Sequence, residues 1–229
     1  YVALALRILT IYIGNNFFTL PDSAGDAYWF EVQAYEWSKE GFPKVLDKYP
    51  GWSESFFISY IIAIFYSITD RSVMLAQSLS LLFGTLSVLI TFRVAQKIWD
   101  TPTAIKIGWF AALLPSMILY SALIMREVFV TFFLLIALNY VVDWTRTRSL
   151  KSFFLVILNF MIGTAFHGGI FVGLIIFLGY SFILYIKYVF KKLLNGMIML
   201  KSLIACLLIV TFINFFNAND IFLPKIGYI

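Results

Sequence analysis

Five side chains of this sequence are of types that carry out acid–base or phosphate chemistry, and each lies where an apolar run meets a more polar stretch. They are Asp26, Glu54, Arg126, Glu127 and His167. An ionised carboxylate can take a proton from a hydroxyl group. Arginine and histidine bind phosphate oxygens and stabilise the charge on a departing phosphate. Gathered on one surface, these side chains would form a shallow site for an anionic substrate.

The five residues suit different roles in such a site. Asp26 lies at the start of a predicted helix, whose positive end keeps a carboxylate ionised, so we predict that it is a catalytic base. Glu127 is the second candidate catalytic residue, and Arg126 and His167 are candidate substrate-binding residues for phosphate. Glu54 is also a candidate substrate-binding residue. As hard oxygen ligands, Glu54 and Glu127 suit a divalent metal cation, the one candidate cofactor.

Each of the five residues also has a purely structural interpretation. Asp26 can serve only as the N-cap of its helix. Glu127 opens a predicted helix, where an acidic side chain is favoured by the helix dipole. His167 precedes two glycines at a helix end and can cap carbonyl groups there. Glu54 can equally be a solvated loop charge, so no single residue decides the function.

The composition indicates an integral membrane protein. Hydrophobic residues make up 62% of the 229 residues, against about 45–50% in soluble domains. Only 13% of the residues are charged, and they cluster between long uncharged runs, as expected where hydrocarbon replaces water. The net charge of +5 does not indicate nucleic acid, because the basic residues lie in short loops and form no continuous stripe. The predicted fold class is all-α, a polytopic membrane protein.

Seven apolar runs organise the chain, and the longest, from Ser152 to Ile186, divides into two at His167-Gly168-Gly169. The others are Tyr1 to Phe18, Ser55 to Thr69, Ser72 to Phe92, Ile107 to Met125, Val128 to Val142 and Ser202 to Asn219. The run from Ser55 to Thr69 is short for a span and carries two tyrosines, so it favours a juxtamembrane helix. Of the eight resulting segments, the other seven are predicted to be transmembrane helices.

The basic residues support this arrangement. If the Ser55 to Thr69 segment does not cross, nine of them fall on the cytoplasmic side together with the N-terminus, in agreement with the positive-inside rule. These are Arg93, Lys97, Lys106, Arg146, Arg148, Lys151, Lys187, Lys191 and Lys192. The five candidate residues then all face the extracytoplasmic side, which we expect to be the outer face of the cell (inner) membrane.

The region 21–69 is predicted to be an extracytoplasmic loop with two juxtamembrane helices. Its first helix is expected over Asp26 to Glu40, capped by Ser23 or Asp26 and ended by Gly41. Because the chain starts at Tyr1 inside an apolar stretch, we expect a single transmembrane module, 1–229, that is the N-terminal part of a longer protein.

Three isolated residues complete the sequence predictions. Cys206 is the single cysteine and lies within an apolar run, so neither a disulfide framework nor a cysteine metal site is expected. Arg7 and Lys201 lie inside apolar runs, and both are expected to extend their charged ends to the interface.

Several short motifs occur in order along the chain. They are Gly-Asp-Ala-Tyr-Trp at 25–29, Gly-Phe-Pro at 41–43, Tyr-Pro-Gly-Trp-Ser-Glu-Ser at 49–55, Met-Arg-Glu-Val-Phe at 125–129 and Gly-Thr-Ala-Phe-His-Gly-Gly at 163–169. Together they resemble the GT-C glycosyltransferases, and most nearly the family 39 group of protein O-mannosyltransferases and the lipid A aminoarabinose transferase. The first two motifs resemble the first outer loop of that family, the third is similar to the segment before the second juxtamembrane helix, and the last two are similar to later outer-face segments.

The resemblance implies an inverting, mannosyltransferase-like enzyme of the cell envelope that moves a sugar from a polyprenyl-phosphate donor to an acceptor at the extracytoplasmic face. Asp26 would be the base, and Glu54 and Glu127, with or without a metal, would organise the carrier phosphate. The acceptor, whether lipid, glycan or protein, is left open, and no nucleic-acid partner is implied. Two departures stand out: the second acid is a Glu where many relatives have Asp, and Gln77 replaces an Arg.

Two other functional classes compete with this interpretation. A polymerase of the O-antigen or exopolysaccharide type would rely chiefly on Arg126 and His167 and would not need Asp26. A non-enzymatic transporter of lipid-linked sugars would place ionisable residues near mid-membrane, where this sequence offers only Arg7 and Lys201. A membrane scaffold is the other non-enzymatic possibility.

Overall fold

The computed structural model describes residues 1–51, 54–192 and 197–218. Within these residues the regular structure is entirely helical, with no strand. A short 3₁₀ helix covers Lys44–Lys48. The α-helices are α1 (Val2–Asn16), α2 (Asp26–Ser38), α3 (Phe57–Thr69), α4 (Val73–Ile98), α5 (Thr101–Leu113), α6 (Pro115–Ala122), α7 (Arg126–Thr147), α8 (Leu150–Phe166), α9 (Ile170–Lys192) and α10 (Met197–Ala218). The all-helical prediction is confirmed.

Three of the described helices, α4, α7 and α9, are long and apolar enough to cross a membrane. Helices α5 and α6 together form a fourth candidate span, bent by 52° at Leu114. Helix α1 has 15 residues and α8 has 17, whereas about 20 residues cross a bilayer core of ~30 Å. The chain therefore has the helices typical of a membrane protein, with three to four candidate spans, and the seven-span arrangement stays a prediction.

The run from Ile107 to Met125 is not the single straight helix expected from its hydropathy. Helix α5 begins earlier, where the Asp100 carboxylate accepts a hydrogen bond of 2.7 Å from the Thr103 amide. Pro115 disfavours helical backbone at the preceding residue, and Leu114 is extended, with φ −64° and ψ 116°. The chain turns there, continues as α6, and is non-helical again over 123–125 before α7.

The predicted helix of the first loop is present as α2, but its predicted cap is wrong. Gly25 is the N-cap residue, and no side chain caps the helix. The Ser23 hydroxyl donates instead to the Leu20 carbonyl at 2.6 Å, while Asp26 is already the first helical residue. Gly41, with φ +81°, follows the helix end in the left-handed conformation that glycine adopts at low cost.

The described chain forms two compact units, Tyr1–Leu174 and Ile175–Ile229. In the first unit α7 packs between α4 and α8, with the Phe129 ring 4.7 Å from Phe83 and 5.0 Å from Phe166. The first residues of α4 and α7 and the last residues of α8 share one end, which we call the loop end because α2 and α3 pack there. At the opposite end Lys97 and Asp143 form an ion pair of 2.8 Å.

Candidate functional site

An aromatic cluster at the loop end brings together segments that are distant in the sequence. Phe166, the last residue of α8, stacks on Phe129 of α7 with an interplanar angle of 9°. The Phe57 ring at the start of α3 meets Phe166 edge-on at 5.0 Å. Glu54 lies shortly before Phe57, Arg126 and Glu127 lie one turn before Phe129, and His167 follows Phe166. Four of the five predicted site residues therefore flank one cluster.

Arg126 joins the start of α7 to the first loop. Its Nη1 donates a hydrogen bond of 2.8 Å to the Ser55 hydroxyl, and its Nε lies 3.3 Å from Glu127 Oε1. The guanidinium also lies 6.0 Å from the centre of the Phe30 ring in α2. The arginine therefore holds three elements of the loop end together and partly neutralises its neighbouring acid.

Asp26 lies at the same end of the unit, on the exposed side of α2. The next residue, Ala27, is buried against Leu123 and Met125 in the segment that leads into α7. Among the described residues, the Asp26 carboxylate takes part in no hydrogen bond or ion pair. The carboxylate is thus free to meet a ligand at the first turn of its helix, where the dipole favours negative charge.

His167 and Glu54 are also at the surface of the loop end. His167 is exposed, with Nε2 close to Gly169, and the break predicted at His167-Gly168-Gly169 is confirmed between α8 and α9. Glu54 is partly buried and its carbonyl accepts a hydrogen bond of 3.1 Å from the Phe57 amide. No group of three or more His, Cys, Asp or Glu side chains that could hold a metal occurs in the described ranges. Metal binding by Glu54 and Glu127 stays a prediction.

Glu127 differs from the other acids because one of its oxygens is buried. Oε1 faces Arg126, whereas Oε2 is buried and has no hydrogen-bond partner. Glu127 lines a cavity of about 210 Å³ between α4, α6 and α7, which we call the inner cavity. Its hydroxyl-bearing lining residues are Ser87, Ser116, Tyr120, Ser121 and Thr131.

An ion pair between a buried glutamate of α2 and an exposed arginine was not predicted from the sequence. Arg71 binds both carboxylate oxygens of Glu31, at 2.9 and 2.7 Å, and the Tyr66 hydroxyl donates to Glu31 at 3.1 Å. Burial and the neighbouring carboxylate raise the pKa of Tyr66, so its phenol stays protonated and remains a donor. The spacing of Glu31 from Ala27 and Ala34, which share the buried face of α2, is the signal that indicates its burial.

Gln77 has a structural role at the loop end. It accepts a hydrogen bond of 3.0 Å from the Asn15 amide and donates one of 3.2 Å to the Ala122 carbonyl. With Glu31 and Arg71 it lines a second cavity of about 280 Å³. Gln77 thus joins α1, α4 and the end of α6 at the loop end.

Arg7 does not extend to an interface, so that prediction is wrong. The whole residue is 0% exposed. Nη1 donates to the Ala3 carbonyl at 2.9 Å, and Nε and Nη2 have no partner. The guanidinium lies beside Gly84 of α4, whose Cβ position is 3.5 Å from Arg7 Nε. Lys201, in contrast, is exposed.

Comparison of the chain with protein-family models, with curated proteins and with solved structures found no match. The class of protein therefore rests on the fold and the side chains of the chain itself. Its described residues form an all-helical structure with three to four candidate membrane spans, and Arg126, Glu127 and Ser55 meet at the loop end of the first compact unit.

Proposed function

We propose that the protein is a membrane glycosyltransferase that moves a sugar from a polyprenyl-phosphate donor to an acceptor at the extracytoplasmic face. The observation that carries the proposal is the convergence of Asp26, Glu54, Arg126, Glu127 and His167 at the loop end, next to a polar cavity. A lipid-linked donor needs this kind of site. Its phosphate and sugar meet polar groups at the boundary, and its tail stays in hydrocarbon.

The chemistry assigns a role to each group. Asp26 takes the proton from the acceptor hydroxyl, because its carboxylate is exposed and has no partner within the described residues. Arg126 and His167 bind the donor phosphate and stabilise its charge as the bond to the sugar breaks. Glu54 and Glu127 orient the phosphate, directly or through a divalent cation.

The test is sugar transfer by the purified full-length protein in lipid nanodiscs. A panel of polyprenyl-phosphate sugars is supplied with membrane extract as the source of acceptor, and release of polyprenyl phosphate is measured. Asp26→Asn is expected to abolish release without lowering the thermal stability, because the amide cannot accept the proton. Asp22→Asn, in the same loop at φ +63°, is the matched control, since asparagine tolerates that conformation, and it should retain full turnover.

The Asp26 variant also separates the proposal from its rival. A polysaccharide polymerase that depends on Arg126 and His167 keeps its activity when Asp26 is replaced by alanine. Full turnover in Asp26→Ala together with loss in Arg126→Gln would replace the transferase proposal with a polymerase.

A further inference from the structure

Arg7 carries a charge that the described part of the protein does not neutralise. The Arg7 side chain, on α1, is completely buried. Its one hydrogen bond among the described residues is donated to the Ala3 carbonyl, and Nε and Nη2 have no partner. No ion pair of Arg7 occurs among the described residues. A buried, unpaired charge is strongly destabilising, and an ionisable side chain within an apolar helix of a membrane protein indicates a functional site.

Arg7 lies close to one wall of the inner cavity. Gly84 and Ser121 line the cavity, and the Cβ position of Gly84 is 3.5 Å from Arg7 Nε and overlaps the Ser121 hydroxyl. One turn before Gly84 on α4, the Ser80 hydroxyl is buried and unpartnered. Arg7 is therefore near the part of the cavity wall that Gly84 and Ser121 form.

An anion in the cavity would supply the missing counter-charge. In a protein interior a charge one side chain away is weakly screened, so Arg7 gives the Gly84–Ser121 wall a positive potential. The hydroxyls of Ser116, Tyr120 and Ser121 can donate hydrogen bonds to anionic oxygens, as phosphate sites require.

We propose that the inner cavity binds the phosphate group of a prenyl-linked ligand, with Arg7 as its counter-ion. This site rests on the proposed function and deepens it, because it adds the cavity between α4, α6 and α7, which Glu127 also lines, to the groups that hold the carrier phosphate. Arg7 acts through the wall formed by Gly84 and Ser121, which makes it a positioning residue for the phosphate.

The test measures binding to the full-length protein in nanodiscs with a short-chain prenyl phosphate, the matching prenyl alcohol and inorganic phosphate as probes. Arg7→Gln is expected to weaken prenyl-phosphate binding tenfold or more and to leave prenyl-alcohol binding unchanged. Arg7→Lys, which retains the charge, should stay within a few-fold of the wild type.

The third probe, inorganic phosphate, distinguishes a lipid-linked phosphate from a free one. Tighter binding of prenyl phosphate than of inorganic phosphate assigns the site to the lipid carrier, and equal binding of the two assigns it to free phosphate. Wild-type protein that binds prenyl phosphate no more tightly than prenyl alcohol overturns the proposal. So does an Arg7→Gln variant that binds prenyl phosphate normally.

The experiment distinguishes an effect of Arg7 on folding from an effect on phosphate binding. A merely structural Arg7 would lower the thermal stability when replaced and would weaken both prenyl probes equally, which also overturns the proposal. Binding that is independent of Arg7 in a protein that still transfers sugar refutes this site alone. Arg7-dependent binding in a protein without transferase activity refutes the proposed function alone.

Discussion

Arg126 at the start of α7 donates a hydrogen bond of 2.8 Å to the hydroxyl of Ser55, which lies 71 positions earlier in the chain. The contact joins the first loop to the helix that carries Glu127. It places a guanidinium, which favours phosphate oxygens, at the surface of the loop end. The contact also allows the charge of Arg126 and its tethering role to be tested separately.

Arg126→Gln is expected to lower sugar transfer by at least tenfold, because it removes the positive charge next to the donor phosphate. Ser55→Ala removes the same hydrogen bond but keeps the charge, so it should lower activity only a few-fold. Steady-state transfer rates of the two purified variants provide the comparison. Equal losses in both would mean that Arg126 acts only as a tether.

Glu31→Gln is expected to reduce the free energy of unfolding by about 1–3 kcal/mol. The substitution replaces a buried carboxylate that accepts hydrogen bonds from the Arg71 guanidinium. Glu36→Gln on the same helix is the control. Glu36 pairs with Lys39 at 2.6 Å while both side chains are about half exposed, and exposed pairs contribute about 0–1 kcal/mol. Thermal or denaturant unfolding in detergent measures both variants, and a smaller effect of Glu31→Gln than of Glu36→Gln would refute the assignment.

Gly84→Ala is expected to destabilise the protein by about 1–3 kcal/mol through overpacking, since the new Cβ would overlap the Ser121 hydroxyl. Gly179→Ala in α9 is the matched control, because no atom lies within 4 Å of its Cβ position and alanine is the better helix former by about 1 kcal/mol. The unfolding midpoints of the two variants are compared. A Gly84→Ala protein at least as stable as the Gly179→Ala protein would contradict the close packing of α4 and α6.

Single cysteines at positions 26, 54 and 127 are expected to react with a membrane-impermeant maleimide in intact cells, because the positive-inside rule places the loop end outside. The native Cys206 is exposed and must first be replaced by alanine. A cysteine at position 148, at the opposite end of α7, should react only after lysis. Protection of position 26, 54 or 127 in intact cells would argue against a shared outer face.

Local physical chemistry made part of the fold predictable. Uncharged runs separated by basic loops predicted an all-helical chain, and the Gly-Gly pair after His167 predicted the break between α8 and α9. The bend at Leu114 was missed because hydropathy is blind to Pro115, whose effect is on backbone conformation. The cap of α2 was assigned to Ser23 or Asp26 by propensity, whereas Gly25 occupies it.

The candidate site, like the fold, was predictable only in part. Residue types and their positions at the ends of apolar runs were enough to identify the side chains that can do acid–base or phosphate chemistry. They did not show that Arg126 binds Ser55, that Glu31 is buried against Arg71, or that Arg7 is buried beside Gly84. These relationships appear only in the folded structure, because burial and pairing depend on which helices pack together.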